Sequence, residues 1–92
     1  MRYRKPFTPL QRREVIREYK SFRNHLRLLR DDFPPITRVE REAFRRYRQC
    51  VKEIKAEMLK SDARVDVDEL NAQIELARIA MAEYLRVKYF GE

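Results

Sequence analysis

Glycine occurs once in the 92 residues, at Gly91, cysteine once, at Cys50, histidine once, at His25, and tryptophan not at all. Each scarcity closes a class of function. One glycine cannot build the glycine-rich loop that cradles a phosphate. One cysteine forms no internal disulfide, and with a single histidine beside it cannot supply the four ligands of a structural zinc site. The longest unbroken apolar run is residues 79–82, far short of the roughly 20 residues that a membrane-spanning helix requires. The four prolines stand at Pro6, Pro9, Pro34 and Pro35, so the helix breakers are confined to one end and one internal point.

What is present is charge and apolar mass together. Charged residues make up 40% and the apolar set 43%, including five Tyr and five Phe. That is too hydrophobic for a disordered tail and too charged for a membrane protein. At this length one helical domain over residues 1–92 is expected, burying roughly 60 to 65% of its unfolded surface, which leaves little room for an elaborate catalytic cavity.

Three segments share a helix start signal, an oxygen acceptor followed three residues later by Glu or Gln: Thr8 with Gln11, Thr37 with Glu40, and Asp66 with Glu69. In such a box the cap side chain takes an orphan amide and the Glu or Gln returns to the amide of the cap. Pro9 falls at the first helical position, where its missing N–H costs nothing. Each segment then carries an apolar stripe at helical spacing. The first runs Val15, Tyr19, Phe22, Leu26, Leu29, with Leu10 and Ile16 beside it; the second Ala43, Tyr47, Cys50, Ile54, Met58, widened by Val39, Phe44 and Val51; the third Val67, Leu70, Ile74, Ala77, Met81, Tyr84, with Leu85 alongside. No alternation of period two is long enough for a strand. The expected helices are 9–30, 38–60 and 67–88, with a basic arm over 1–7. The connections, from Arg30 to Ile36 through Pro34 and Pro35 and from Ser61 to Val65, are short, so neighbours run antiparallel. The fold class that follows is all-α, an up-down-up three-helix bundle.

The formal net charge is +7, and it is unevenly placed. Residues 1–60 hold 18 Lys and Arg against 8 acids, whereas residues 61–92 hold 4 against 7. On the second helix Arg38, Arg41, Arg45, Arg48, Lys52 and Lys55 recur at steps of three and four behind the apolar stripe; on the first, Arg13, Arg17, Lys20 and Arg27 do the same. Such ridges can be the solvated backs of helices, but a solvating face interleaves both signs and here the positive sign dominates. They attract something acidic: nucleic-acid phosphates, an anionic protein surface or anionic headgroups. The helix-turn-helix with its short glycine-bearing turn and the aromatic-bearing sheet are both missing, so any nucleic-acid contact would be to phosphates, independent of base sequence and steeply salt-dependent. His25 has no partner acid or thiol near it in sequence and reads as a surface residue; Cys50 sits on a core stripe and reads as a small hydrophobe. An enzyme is not expected. The first 13 residues are basic and free of acid, in the manner of a mitochondrial import signal, though they merge with the first helix.

The run Val15, Ile16, Arg17, Glu18, Tyr19, Lys20, Ser21, Phe22, Arg23 resembles the opening helix of the LYR-motif family, small basic three-helix mitochondrial proteins. Family members carry a Phe followed by a basic residue on the second helix about two dozen positions later, and Phe44 and Arg45 stand 25 after Tyr19. The acidic opening of the third helix at 66–68 is similar too, so the likeness spans roughly residues 9–88. The defining tripeptide here reads Glu18, Tyr19, Lys20, with Glu in place of the family's Leu. The resemblance implies an adaptor in the mitochondrial matrix or on the matrix side of the inner membrane. It would be an accessory subunit or assembly factor of a respiratory complex, complex I foremost, or a component of iron-sulfur biogenesis or of the mitochondrial ribosome. It would dock acyl carrier protein, whose acylated 4'-phosphopantetheine enters the bundle, and have no cofactor of its own. Tyr19, Lys20, Phe44 and Arg45 carry over by motif position; Arg41, Arg48 and Lys52 join them from the ridge. An acyl chain would run among Phe22, Leu26, Ile54, Met58, Ile74 and Met81. Two other readings stay open: a ribonucleoprotein component with its ridges on RNA phosphates, and an interaction module whose third helix packs on a larger subunit.

Overall fold

A computed structural model describes residues 6–91. Three α-helices, α1 (Pro9–Asp32), α2 (Arg38–Met58) and α3 (Val67–Phe90), run up, down and up, with a short 3-10 turn at Asp62–Arg64 between the last two. No strand is formed among the described residues, so the chain is the all-α three-helix bundle that its periodicity predicts. The molecule is elongated, 47 by 24 by 16 Å. α2 and α3 pack most intimately, and α1 lies alongside.

The first two helix starts form as the sequence dictates. Thr8 accepts from the Gln11 amide while the Gln11 side chain takes the Thr8 amide, and Thr37 and Glu40 repeat the exchange. Phe7, assigned above to a basic arm, is instead buried. It stands one residue before the cap, where a hydrophobic staple would reach the fourth helical residue; that residue is Arg12, and its guanidinium covers the Phe7 ring at 4.9 Å. Residues 1–5 of that arm lie outside the described residues.

The third start departs from the expected box. Asp66 does accept from the Glu69 amide at 3.1 Å. The returning bond, however, comes from another helix: Glu57 Oε2 of α2 accepts the Asp66 amide at 3.2 Å, and Glu69 turns to Gln73. A side chain nine residues back, at the end of the preceding helix, can replace a local one wherever the connection brings it within reach, and the turn at Asp62–Arg64 does so. α1 also runs two residues beyond expectation, to Asp32, because Pro34 constrains only the residue before it, and the Phe33 amide still reaches the Leu29 carbonyl. α2 ends earlier, at Met58, and α3 later, at Phe90, where Gly91 takes the left-handed conformation (φ 71°) that closes the helix.

The core is continuous from Phe7 to Tyr84. Tyr47, Ile54, Ala77 and Tyr84 are fully enclosed. Phe22 meets Tyr47 edge-on at 6.1 Å, and Phe44 meets Tyr84 at 5.2 Å. Each buried tyrosine hydroxyl donates to a carbonyl, Tyr47 to Phe22 at 3.3 Å and Tyr84 to Phe33 at 2.6 Å, so the rings are buried without orphaning their hydroxyls. Two flanking residues of the expected stripes, Leu10 and Val39, prove exposed; both lie in the first turn of a helix, beside residues that are buried there, Phe7 and Glu40.

Two buried carboxylates pin the bundle's ends. Glu40 accepts from the Ile36 and Thr37 amides at 2.8 and 3.2 Å and pairs with Lys88 at 3.2 Å. Those two amides, and then Lys88, hold its carboxyl below the usual carboxylate value. Lys88 also donates to the Pro34 carbonyl at 2.7 Å, so the end of α3 clasps the first connection. At the other end Glu57 ties Lys60 to the start of α3, and Arg12 reaches the Met58 carbonyl at 3.3 Å and Asp62.

Candidate functional site

Wherever α1 and α2 diverge, the cations bordering their apolar seam face one another across a groove of about 330 Å³. Its lining is Arg23, Leu26, Arg27, Arg30, Phe44 and Arg48. Arg23, Arg27 and Arg30 are spaced four and three residues apart, which puts them on one side of α1, and Leu26 lies between them at the edge of the core. From α2, Phe44 supplies the buried wall and Arg48, one turn on, the fourth guanidinium. All four arginines are exposed, whereas Leu26 is half-buried and Phe44 buried. The result is an apolar floor inside a ring of positive charge.

The charges are largely uncompensated. Arg27 and Arg48 make no ion pair with any described residue, Arg30 touches only its neighbour Asp31 at 3.6 Å, and Arg23 lies over the Tyr19 ring at 5.9 Å. The wider face follows the same rule. The strip of α1 through Arg12, Ile16, Tyr19, Arg23, Arg27 and Arg30 contains no acid, nor does the strip of α2 through Arg41, Arg45, Arg48, Lys52 and Lys55. Guanidinium forks suit carboxylate and phosphate geometry, so this face can hold an anionic surface that also presents an apolar side chain to the floor.

Of the residues expected at a docking site, Phe44 and Arg48 line the groove, and Tyr19 supports one of its walls through Arg23. Lys20, Arg45 and Lys52 are exposed outside it; Arg45 borders a separate shallow depression with Glu42, Arg46 and Gln49. Arg41 is engaged locally, donating to the Ile36 carbonyl at 2.5 Å, and Arg38 pairs with Glu42. Arg23 and Arg30 do not belong to the expected ridge of Arg13, Arg17, Lys20 and Arg27. A groove between helices is lined by the residues that border the apolar stripe, and the 23, 27, 30 spacing around Leu26 is the sequence signal for it.

The six residues assigned to an acyl chain all belong to the core or pack against it. Phe22, Ile54 and Ile74 are buried, and Leu26, Met58 and Met81 half-buried. Ile74 also floors a second cleft, about 360 Å³, between α1 and α3, with Val15 beside it and the Glu18–Arg78 ion pair (2.7 Å) across it. His25 is exposed and Cys50 half-buried; burial, and then the Glu53 charge, push the Cys50 thiol up. Among the described residues no cluster of His, Cys, Asp and Glu could hold a metal ion, and no helix is long and apolar enough to cross a membrane.

No family model, curated protein or solved structure matches the chain.

Proposed function

We propose that this chain is a non-catalytic helical adaptor that docks an acidic protein helix in the groove between α1 and α2, the acyl carrier protein of mitochondria being the partner implied by the likeness of Tyr19, Lys20, Phe44 and Arg45 to the LYR motif. The observation that carries the reading is the groove's composition. Four arginines surround an apolar floor, and no acid shares their strips. A bare polyanion needs the cations but not the floor; an amphipathic acidic helix uses both. The adaptor acts in the matrix or on the matrix side of the inner membrane, joining its partner to a larger respiratory complex.

The test is charge reversal with a matched control. Arg27→Glu with Arg48→Glu alters the groove, whereas Arg13→Glu with Arg17→Glu makes the same change in net charge on the back of α1. Calorimetry with a mitochondrial acyl carrier protein at physiological salt should show the groove pair weakening binding by more than about tenfold and the control pair by less than about threefold, because exposed charges outside a contact are screened. Equal losses would reduce the interaction to bulk charge. Absence of wild-type binding, together with RNA binding that falls steeply with salt, would move the assignment to a ribonucleoprotein.

A further inference from the structure

α1 is held less firmly than its neighbours. Its buried residues are Val15, Phe22 and Leu29, so one enclosed side chain falls on every second turn and together they make a row one residue wide. α3 buries a residue on every turn from Val67 to Val87, and α2 does so from Ala43 to Ile54, with Phe44 and Val51 widening its stripe. Each half of α1 also stands clear of one neighbour. The cleft floored by Ile74 separates residues 14–18 from α3, and the arginine groove separates residues 23–30 from α2.

The two ends of α1 are fastened differently. Just past its C-terminal end the chain is fixed to α3, the Phe33 carbonyl accepting from the Tyr84 hydroxyl at 2.6 Å and the Pro34 carbonyl from Lys88 at 2.7 Å. At the N-terminal end one polar side chain, Arg12, makes the attachment. Its guanidinium donates to the Met58 carbonyl at 3.3 Å, pairs with Asp62 and covers the Phe7 ring. Arg12 is 33% and Asp62 64% exposed, and an ion pair that open to water is weak. Between the ends, the Tyr47 hydroxyl reaches the Phe22 carbonyl at 3.3 Å and the Glu18–Arg78 pair lies near the surface.

We infer that α1 is a latched arm, which leaves the α2–α3 hairpin as a unit, pivoting at Phe33 and Pro34 and released at Arg12, while α2 and α3 stay packed. Opening below the level of global unfolding runs through the element with the fewest enclosed apolar side chains. The motion uncovers the inner sides of α2 and α3. It also takes the groove apart, because Arg23, Arg27 and Arg30 travel with α1 whereas Phe44 and Arg48 stay on α2. No partner is needed for it, so it stands or falls separately from the docking proposed above.

Amide hydrogen exchange of the full chain, followed residue by residue by NMR, tests the latch. Relative to their intrinsic rates, amides at 19–29 of α1 should exchange at least about a hundredfold faster than those at 47–54 of α2 and 74–84 of α3. Glu57→Gln weakens the bond to the Asp66 amide, which joins α2 to the start of α3 and survives when α1 leaves. It should speed exchange at 47–54 and 74–84 roughly five- to tenfold and leave 19–29 within about twofold of wild type. Arg12→Met keeps the aliphatic stem but removes the latch, and should speed exchange at 19–29 about tenfold. Arg13→Met, on the exposed back of α1, should change it by less than about twofold. Uniform protection across the three helices, Glu57→Gln acting on α1 as strongly as on α2 and α3, or Arg12→Met matching Arg13→Met would each overturn the proposal.

Discussion

Removing Glu57 separates a local from a tertiary origin of the α3 cap. Its side chain is 8% exposed and serves two groups, the Asp66 amide at 3.2 Å and Lys60 at 3.0 Å. Glu57→Ala leaves the Asp66 amide without its acceptor, and a hydrogen bond to a charged group contributes about 1.5 to 3 kcal/mol. Lys60 is half exposed, so its pair adds at most about 1 kcal/mol. The expected loss is therefore about 2 to 3 kcal/mol, which lowers the melting temperature of a domain this size by roughly 10 to 20 °C. Glu57→Gln keeps a neutral acceptor and should lose about half as much. Glu69→Ala, which would break the capping box read from sequence, removes only an exposed bond to Gln73 and a first-turn charge, about 0.5 kcal/mol. Urea titrations followed by circular dichroism, with all variants at one protein concentration, measure the differences. If Glu69→Ala cost as much as Glu57→Ala, the cap would be local and the tertiary account refuted.

Two pH effects follow from the other buried groups. Burial raises the pKa of Tyr47, and burial followed by the charge of Glu40 raises that of Tyr84. Their contribution to stability is complete below the ordinary tyrosine value of 10.0 and declines as pH climbs from there toward the raised folded values. Tyr47→Phe, losing one hydrogen bond, should cost about 1 kcal/mol at neutral pH yet flatten that alkaline decline; a decline of unchanged slope in urea titrations between neutral and strongly alkaline pH would refute the assignment. The lowered pKa of Glu40 acts in the opposite direction. Its contribution is present above the ordinary carboxylate value of 4.5 and is lost as pH falls through the lower folded value. Glu40→Gln should remove that acid limb, and Lys88→Met should shorten it, both read as melting temperature against pH.

The sequence alone carried the helices. The Thr8 and Thr37 boxes, Pro9 at the first helical position and the stripes from Val15 to Leu29, Ala43 to Met58 and Val67 to Tyr84 are interactions between residues three or four apart, so their spacing is readable without a fold. The basic excess of the first two helices was readable for the same reason. What only the tertiary structure decided are contacts between residues far apart in the chain: Glu57 at the start of α3, Lys88 on Glu40 and the Pro34 carbonyl, Arg12 over Phe7 and onto Met58, and the selection of Arg23, Arg27, Arg30 and Arg48 from 22 basic residues as the lining of one groove. A helix's period says which residues share a side. It does not say which border of that side meets a neighbour, because that depends on how the neighbouring helix is rotated and set along its axis, and packing across the whole core determines both.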